Sequence, residues 1–459
     1  MNLSPRLMPR PRTEGRGLFS PIAAGERPGW RPLFHVVALM VPGIRKLRLT
    51  VLATATLCST ISRLIAADPS VEVFTQDSMG TSAAGGDTIL FPQLPFRWSV
   101  TAGGGYDDNV NATPGGAGSA FTRANLTVSK DLRTERTQLS IVGGGGVVHY
   151  FDRLNGPPTD YTGSLNASLQ HNISERFSLA ASVTAAYLSE PEFGTDLGSV
   201  RRSGNYFTTT DILAARYAWS PRLSTYSSYQ LAMVKYADDL VSVVQDRVDH
   251  TFGESLRYRW SPRTTLIAEY RFLLIDYDTG PRDSSTHFAL GGFDYQISSR
   301  LNATLLGGAS FRKFENGGNG ERTIYPNGSA SLNYLIGPNA SVNWTVGYSI
   351  EQPADFTETL SRATLRTRTG LQLKYQLTRR LTVNLALDYN HDENAGLLAS
   401  GAPGADRRES TQNGFQLALG AKYAVTDRLA LDLAFARTEL DSTFGYLRNV
   451  YTAGLAFSF

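Results

Sequence analysis

Cysteine is almost missing from this chain. Its 459 residues include one, Cys58, inside a segment that reads as an export leader. Disulfides and thiol chemistry are thereby excluded from the remainder. No apolar run long enough for a membrane helix, about 20 residues, occurs beyond residue 67. The six histidines (His35, His149, His171, His250, His287 and His391) include no pair at metal-ligand spacing. No Gly-x-Ser-x-Gly elbow stands in a strand–helix setting. Gly143–Gly146 continues into Val147-Val148 as a strand, without the helix that a phosphate loop requires. His391 and Asp392 are neighbours on a strand and point to opposite faces, which argues against joint catalysis. The expectation is a protein that is not an enzyme, with no cofactor and no metal.

The basic excess is confined to the N-terminus. Residues 1–67 hold 10 of the 44 basic and 2 of the 41 acidic residues. Residues 68–459 hold 34 basic against 39 acidic residues, so the balance moves from +3 to −5. Nothing then argues for nucleic-acid binding. Arg45, Lys46 and Arg48 precede an apolar stretch from Leu49 to Ile61, and Ala66-Ala67-Asp68 offers a cleavage site. Residues 1–67 therefore read as an extension plus signal peptide, with Met40 as an alternative start. A membrane anchor is the competing reading, which the short apolar core disfavours. Leu57 before Cys58 speaks against lipidation. Residues 68–95 read as a flexible periplasmic segment, too short for a plug domain.

From Arg97 a single unit repeats: an amphipathic stretch, a tight polar turn, a second stretch, then a longer loop. The tight turns are nearly interchangeable. They include Ile173-Ser174-Glu175-Arg176-Phe177, Trp219-Ser220-Pro221-Arg222-Leu223, Ile297-Ser298-Ser299-Arg300-Leu301, Leu377-Thr378-Arg379-Arg380-Leu381 and Val425-Thr426-Asp427-Arg428-Leu429. Ser, Pro and Asp suit turn geometry, and the flanking Trp and Leu suit a lipid boundary. The alternate connections, such as 107–118, 189–204 and 392–410, are longer and richer in Gly, Pro, Asn and Asp. Counting the stretches between them gives eighteen strands over 96–459.

The stretches alternate. Leu381, Val383, Leu385, Leu387 and Tyr389 face one way; Thr382, Asn384, Ala386, Asp388 and Asn390 face the other. The chain ends on the same pattern, with Tyr451, Ala453, Leu455, Phe457 and Phe459 at every second position. Stacked soluble sandwiches also alternate, but their strands average ~5–6 residues, and these run at least twice that. The fold class predicted is an all-β, single transmembrane antiparallel up-and-down β-barrel of about eighteen strands. Short periplasmic turns and longer extracellular loops would place it in the cell outer membrane. Tyr451, Leu455, Phe457 and Phe459 resemble the C-terminal signal by which such barrels reach their assembly machinery.

The first strand ends Tyr106-Asp107-Asp108-Asn109-Val110. With the leader, the hairpin repeat and terminal Phe459, this resembles the Putative beta-barrel porin 2 family over about 96–459. The resemblance implies a channel-like outer-membrane barrel, and a link to exopolysaccharide export.

A barrel of this size is too wide for side chains to fill, so inward charges would set selectivity. Arg362, Arg366, Arg368 and Lys374 share one parity and are expected to line the lumen, favouring anionic solutes. The alternative is that they pair with lumenal acids such as Asp388. Arg257, Arg259, Glu269 and Arg271 suggest a paired network on two adjacent strands. Asp107, Asp108 and Asn109 could hold calcium, though a solvated loop start fits better.

The functional expectation is passive diffusion of small hydrophilic solutes. The alternatives are a part in exopolysaccharide export, or a non-conducting structural or surface-binding barrel. The partners expected are outer-membrane lipid, the barrel-assembly machinery and small hydrophilic solutes or saccharides; the sequence leaves the oligomeric state open.

Overall fold

The computed structural model describes residues 96–154, 156–188, 205–237, 246–278, 283–314, 322–351, 361–397, 411–441 and 445–459. The expected leader, the start at Met40, the 68–95 segment and several long loops lie outside them. Within them eighteen strands form one closed antiparallel sheet in which each strand pairs with its sequence neighbours and β1 pairs with β18. The strands are β1 Arg97–Asp107, β2 Ser119–Arg133, β3 Thr137–Tyr150, β4 Thr159–Asn172, β5 Phe177–Leu188 and β6 Tyr206–Ala218. The wall continues with β7 Leu223–Tyr236, β8 Arg247–Ser261, β9 Thr264–Tyr277, β10 Ser284–Gln296, β11 Leu301–Phe314 and β12 Arg322–Gly337. It closes with β13 Ala340–Glu351, β14 Ser361–Gln376, β15 Leu381–Leu397, β16 Thr411–Ala424, β17 Leu429–Asp441 and β18 Tyr446–Ser458. Closure leaves no unpaired edge, the condition for strands to cross hydrocarbon.

The short turns share one device. The hydroxyls of Ser174, Ser220, Ser298, Thr378 and Thr426 each accept the backbone N–H groups two and three residues on. A Ser or Thr at that position closes the turn with its own side chain. This is why turns with different middle residues can look alike.

Side chains sort by parity. On β18, Tyr451, Leu455, Phe457 and Phe459 point outward and are about half exposed, while Arg448, Gly454 and Ala456 point inward and are buried. On β8, Phe252, Leu256, Tyr258 and Trp260 point outward. Trp219, Trp260, Tyr295 and Phe459 sit at the short-turn ends; Tyr106, Tyr187, Phe207 and Phe415 sit near the opposite ends. Two aromatic girdles bounding an aliphatic band mark the membrane-facing surface of an outer-membrane barrel. Among the described residues there is no single apolar core: buried apolar groups form small clusters on the inner wall.

One boundary moved. The segment after His391 is expected to be a loop, yet β15 runs on to Leu397, paired with β14 as far as Ser361. Polar residues there are compatible with a strand, because above the membrane both faces can meet water.

Candidate functional site

The inner wall is the candidate site, and many of its charges are paired. Arg366 lies inward on β14, opposite Asp392 on β15. Its Nε and Nη2 donate to the two oxygens of Asp392, each at 2.7 Å. Its Nη1 donates to Glu351 Oε2 on β13, also at 2.7 Å. Arg368 reaches the same Glu351 oxygen at 2.7 Å. Two arginines and two carboxylates thus form one network across three strands, with Arg366 and Asp392 buried and Arg368 and Glu351 partly exposed. A bidentate Arg–carboxylate fork is the strongest form of such a pair.

The expected cation ladder is therefore half neutralised. Asp392 and Glu351 take the role considered for Asp388, which lies opposite Gly370. A Cβ at Gly370 would sit 2.5 Å from Asp388 Oδ1, so the missing side chain is what leaves Asp388 room. Lys374 is exposed near the short-turn end. Arg362 lies on the backbone of β14, and its side chain is outside the described residues.

The second group separates into different pairs. Arg271 Nε lies 2.9 Å from Glu269 on its own strand, and its guanidinium covers the Phe288 ring at 5.0 Å. Arg257 instead reaches past β9 to Asp294 on β10, at 3.0 Å. It can do so because its register partner Ile267 and the next residue in that row, Gly292, carry no charge. Arg259 is exposed near the short-turn end and makes no ion pair among the described residues.

Asp107, Asn109 and Val110 are buried, while Tyr106 points outward, which corrects the expectation of a solvated loop start. Asp107 is fully buried and accepts from Arg448 Nε at 2.9 and 3.0 Å. Asp108 accepts from the backbone N–H and the side-chain amide of Asn449 at 2.6 and 2.7 Å. Asn109 donates to the carbonyls of Thr113 and Leu447. The acids are spent on stapling β1 to β18, and no metal-binding cluster occurs among the described residues.

The first long loop then turns inward. Val110 packs on Phe121 and Tyr150, with Val148 and Val450 beside them, all on lumen-facing positions. Asn111 donates to the Leu154 carbonyl and accepts from Arg153 Nε at 3.5 Å. Arg153 Nη1 in turn donates to both carboxylate oxygens of Asp160, at 2.7 and 2.8 Å. The Asp152 N–H donates to Ser119 Oγ at 2.9 Å. Loops 108–118 and 151–158 are thus locked together over the inner wall at the extracellular mouth. Sequence reasoning missed Glu351, Asp392, Asp294, Arg153 and Arg448. The lumen parity of Glu351, Asp294 and Arg448 was readable, but their partners depend on register across strands; Arg153 and Asp392 fell in segments read as loops.

The family described as Putative beta-barrel porin 2 matches residues 95–459. No curated protein matches the chain. Among solved structures, OccK1 (OpdK) of Pseudomonas aeruginosa is similar at 11% identity and a TM-score of 0.42, over 79% of this chain and 99% of that one. OccAB4 of Acinetobacter baumannii is similar at 11% identity and a TM-score of 0.40, over 80% and 98%. The siderophore receptor PirA from Pseudomonas aeruginosa is similar at 12% identity and a TM-score of 0.39, over 81% of each chain.

Proposed function

The chain belongs to the Putative beta-barrel porin 2 family, and from that premise we propose that it is a weakly selective channel for passive diffusion of small hydrophilic solutes. The observation that carries this reading is the contrast between the two faces of its eighteen strands. Side chains turned inward are mostly Ser, Thr, Asn, Gly and paired ions, while those turned outward are mostly aliphatic and aromatic. Eighteen strands enclose more space than side chains can fill, so a polar inner face is a water-bearing one.

Weak selectivity stems from the pairing. Arg366, Arg368, Arg153, Arg257 and Arg448 each face a carboxylate, so they hold the wall rigid and contribute little net field. A pore whose charges cancel in pairs discriminates by width more than by sign. The locked loops 108–118 and 151–158 supply a narrowing at the extracellular mouth.

The test is conductance of the purified protein in a planar lipid bilayer. The expected result is stepwise, ohmic current, with a reversal potential close to zero in a potassium chloride gradient. A protein that inserts and folds yet passes no current would overturn the channel reading in favour of a structural barrel. A role in exopolysaccharide export would instead show as current blocked by the polymer and not by its monomers.

A further inference from the structure

The lipid-facing surface of β6–β10 is not uniformly apolar. Asp211, the sixth of 13 residues in β6, lies on the outward parity between Leu213 and Thr209. Glu254, the eighth of 15 residues in β8, lies outward between Phe252 and Leu256, which are 50% and 44% exposed. Both carboxylates therefore sit at mid-strand, inside the belt that the aromatic girdles bound. His250 and His287 share this face, within hydrogen-bond distance of Tyr229 and Tyr270 at 2.9 and 2.7 Å.

Among the described residues neither acid has a cation. Glu254 accepts only from Ser227 Oγ, at 2.5 Å, and Asp211 only from Thr209 Oγ1, at 2.9 Å. Outward acids elsewhere on the barrel, such as Asp276, Glu393, Glu439 and Asp441, stand near extracellular strand ends, where water is at hand. A carboxylate held against hydrocarbon with one hydroxyl for company is costly, and the cost is greatest toward the bilayer midplane.

The geometry points to this face being covered by a second copy of the same chain. Charge complementarity selects that occupant over lipid. The patch carries acids (Asp211, Glu254) and imidazoles (His250, His287) together, so two copies placed face to face can set an acid of one against an imidazole of the other. A surface that complements itself is what a symmetric interface between identical chains requires. β7 runs down its middle, with Leu231 in register between Asp211 on one side and His250 on the other. Assembly through this face does not depend on whether the lumen conducts.

The test places one thiol at the centre of the patch. The full chain, carrying Cys58→Ser, receives Leu231→Cys and is expressed in a Gram-negative outer membrane. The control is Leu385→Cys, lipid-facing on β15 in the opposite part of the wall. Mild oxidation is expected to convert most of the Leu231→Cys protein to a reducible band of twice the monomer mass, and the control to stay monomeric. Adding Asp211→Leu with Glu254→Leu is expected to abolish that cross-link while the barrel stays folded and heat-modifiable. Three results would overturn the inference: no cross-link at position 231 in folded protein, equal cross-linking at 385, or a cross-link at 231 to a different protein. Persistence of the dimer band after both acids become leucine would overturn it as well.

Discussion

Asp107 and Arg448, 341 residues apart in the chain, form a buried charge pair across the line where the barrel closes. Asp107 ends β1 and Arg448 lies on β18, with Nε shared between both carboxylate oxygens and Nη2 on one of them. The same carboxylate accepts the Asn109 N–H at 3.0 Å, which turns the chain into the first loop. One pair therefore ties the last strand to the first and sets where that loop begins.

Removing one member should cost more than removing both. Asp107→Ala leaves a guanidinium buried without its partner, and Arg448→Ala leaves a carboxylate so. Each is expected to lower stability by about 3–5 kcal/mol, the usual cost of breaking a buried pair from one side. Asp107→Leu with Arg448→Met should recover much of that loss. Urea unfolding of the detergent-folded barrel, monitored by the gel shift on heating, measures the difference. Additive losses in the double variant would show that the pair acts as two independent groups.

The Glu351–Arg366–Asp392 network predicts opposite shifts in ion preference. Glu351→Gln leaves Arg366 matched by Asp392 and removes one negative charge from beside Arg366 and Arg368, so the pore should move toward anions. Arg366→Gln leaves Asp392 without its fork and sets Glu351 against Arg368 alone, so the pore should move toward cations. The second change should also destabilise the barrel, by about 3–5 kcal/mol. Reversal potentials in a salt gradient read the sign directly. Shifts in the same direction for both variants would mean that this network does not face the conducting path.

What the sequence disclosed, and what it hid, divides at the strand. Within one strand the alternation is local: Leu381 to Tyr389 against Thr382 to Asn390 places every residue, because successive side chains must point to opposite faces. The eighteen strands, the turns at Ser174, Ser220 and Thr378, and the outward Phe457 and Phe459 all rest on that local chemistry. Which residues meet across strands is not local. It depends on register, which each hairpin sets through its turn. Asp388 and Asp392 share a parity on β15, so sequence alone could not say which of them takes Arg366; the pairing of Leu371 with Leu387 decides for Asp392. Asp107 shows the other limit. An acid entering a polar loop looks solvated until β18 supplies Arg448 from the far end of the chain.

Val110 should govern the width of the mouth. Its burial against Phe121 and Tyr150 holds loop 108–118 on the inner wall. Val110→Asp would place a charge among apolar groups, which is unfavourable unless the group is paired, so the loop should leave the wall. Single-channel conductance is expected to rise, with the folded yield unchanged because the strands keep their ladder. A conductance equal to that of the unaltered protein would show that this loop does not narrow the path.

Phe459 has two separable duties. Its backbone exchanges both hydrogen bonds with Trp98, N–H to carbonyl in each direction at 2.9 Å, and so completes the β1–β18 ladder. Its ring lies outward, 5.6 Å from that of Phe457, at the short-turn membrane boundary. Phe459→Ala keeps the ladder and removes the ring; deleting Phe459 removes both. Each backbone hydrogen bond contributes about 0.5–1.5 kcal/mol net, so the deletion should yield the less stable barrel once folded. If the ring serves chiefly as the signal for assembly, both variants should reach the outer membrane in similarly reduced amounts. Folded protein in outer-membrane fractions reports delivery, and the temperature of the heat-induced gel shift reports stability. Equal shift temperatures for the two variants would show that the terminal backbone pair does not help to hold the barrel closed.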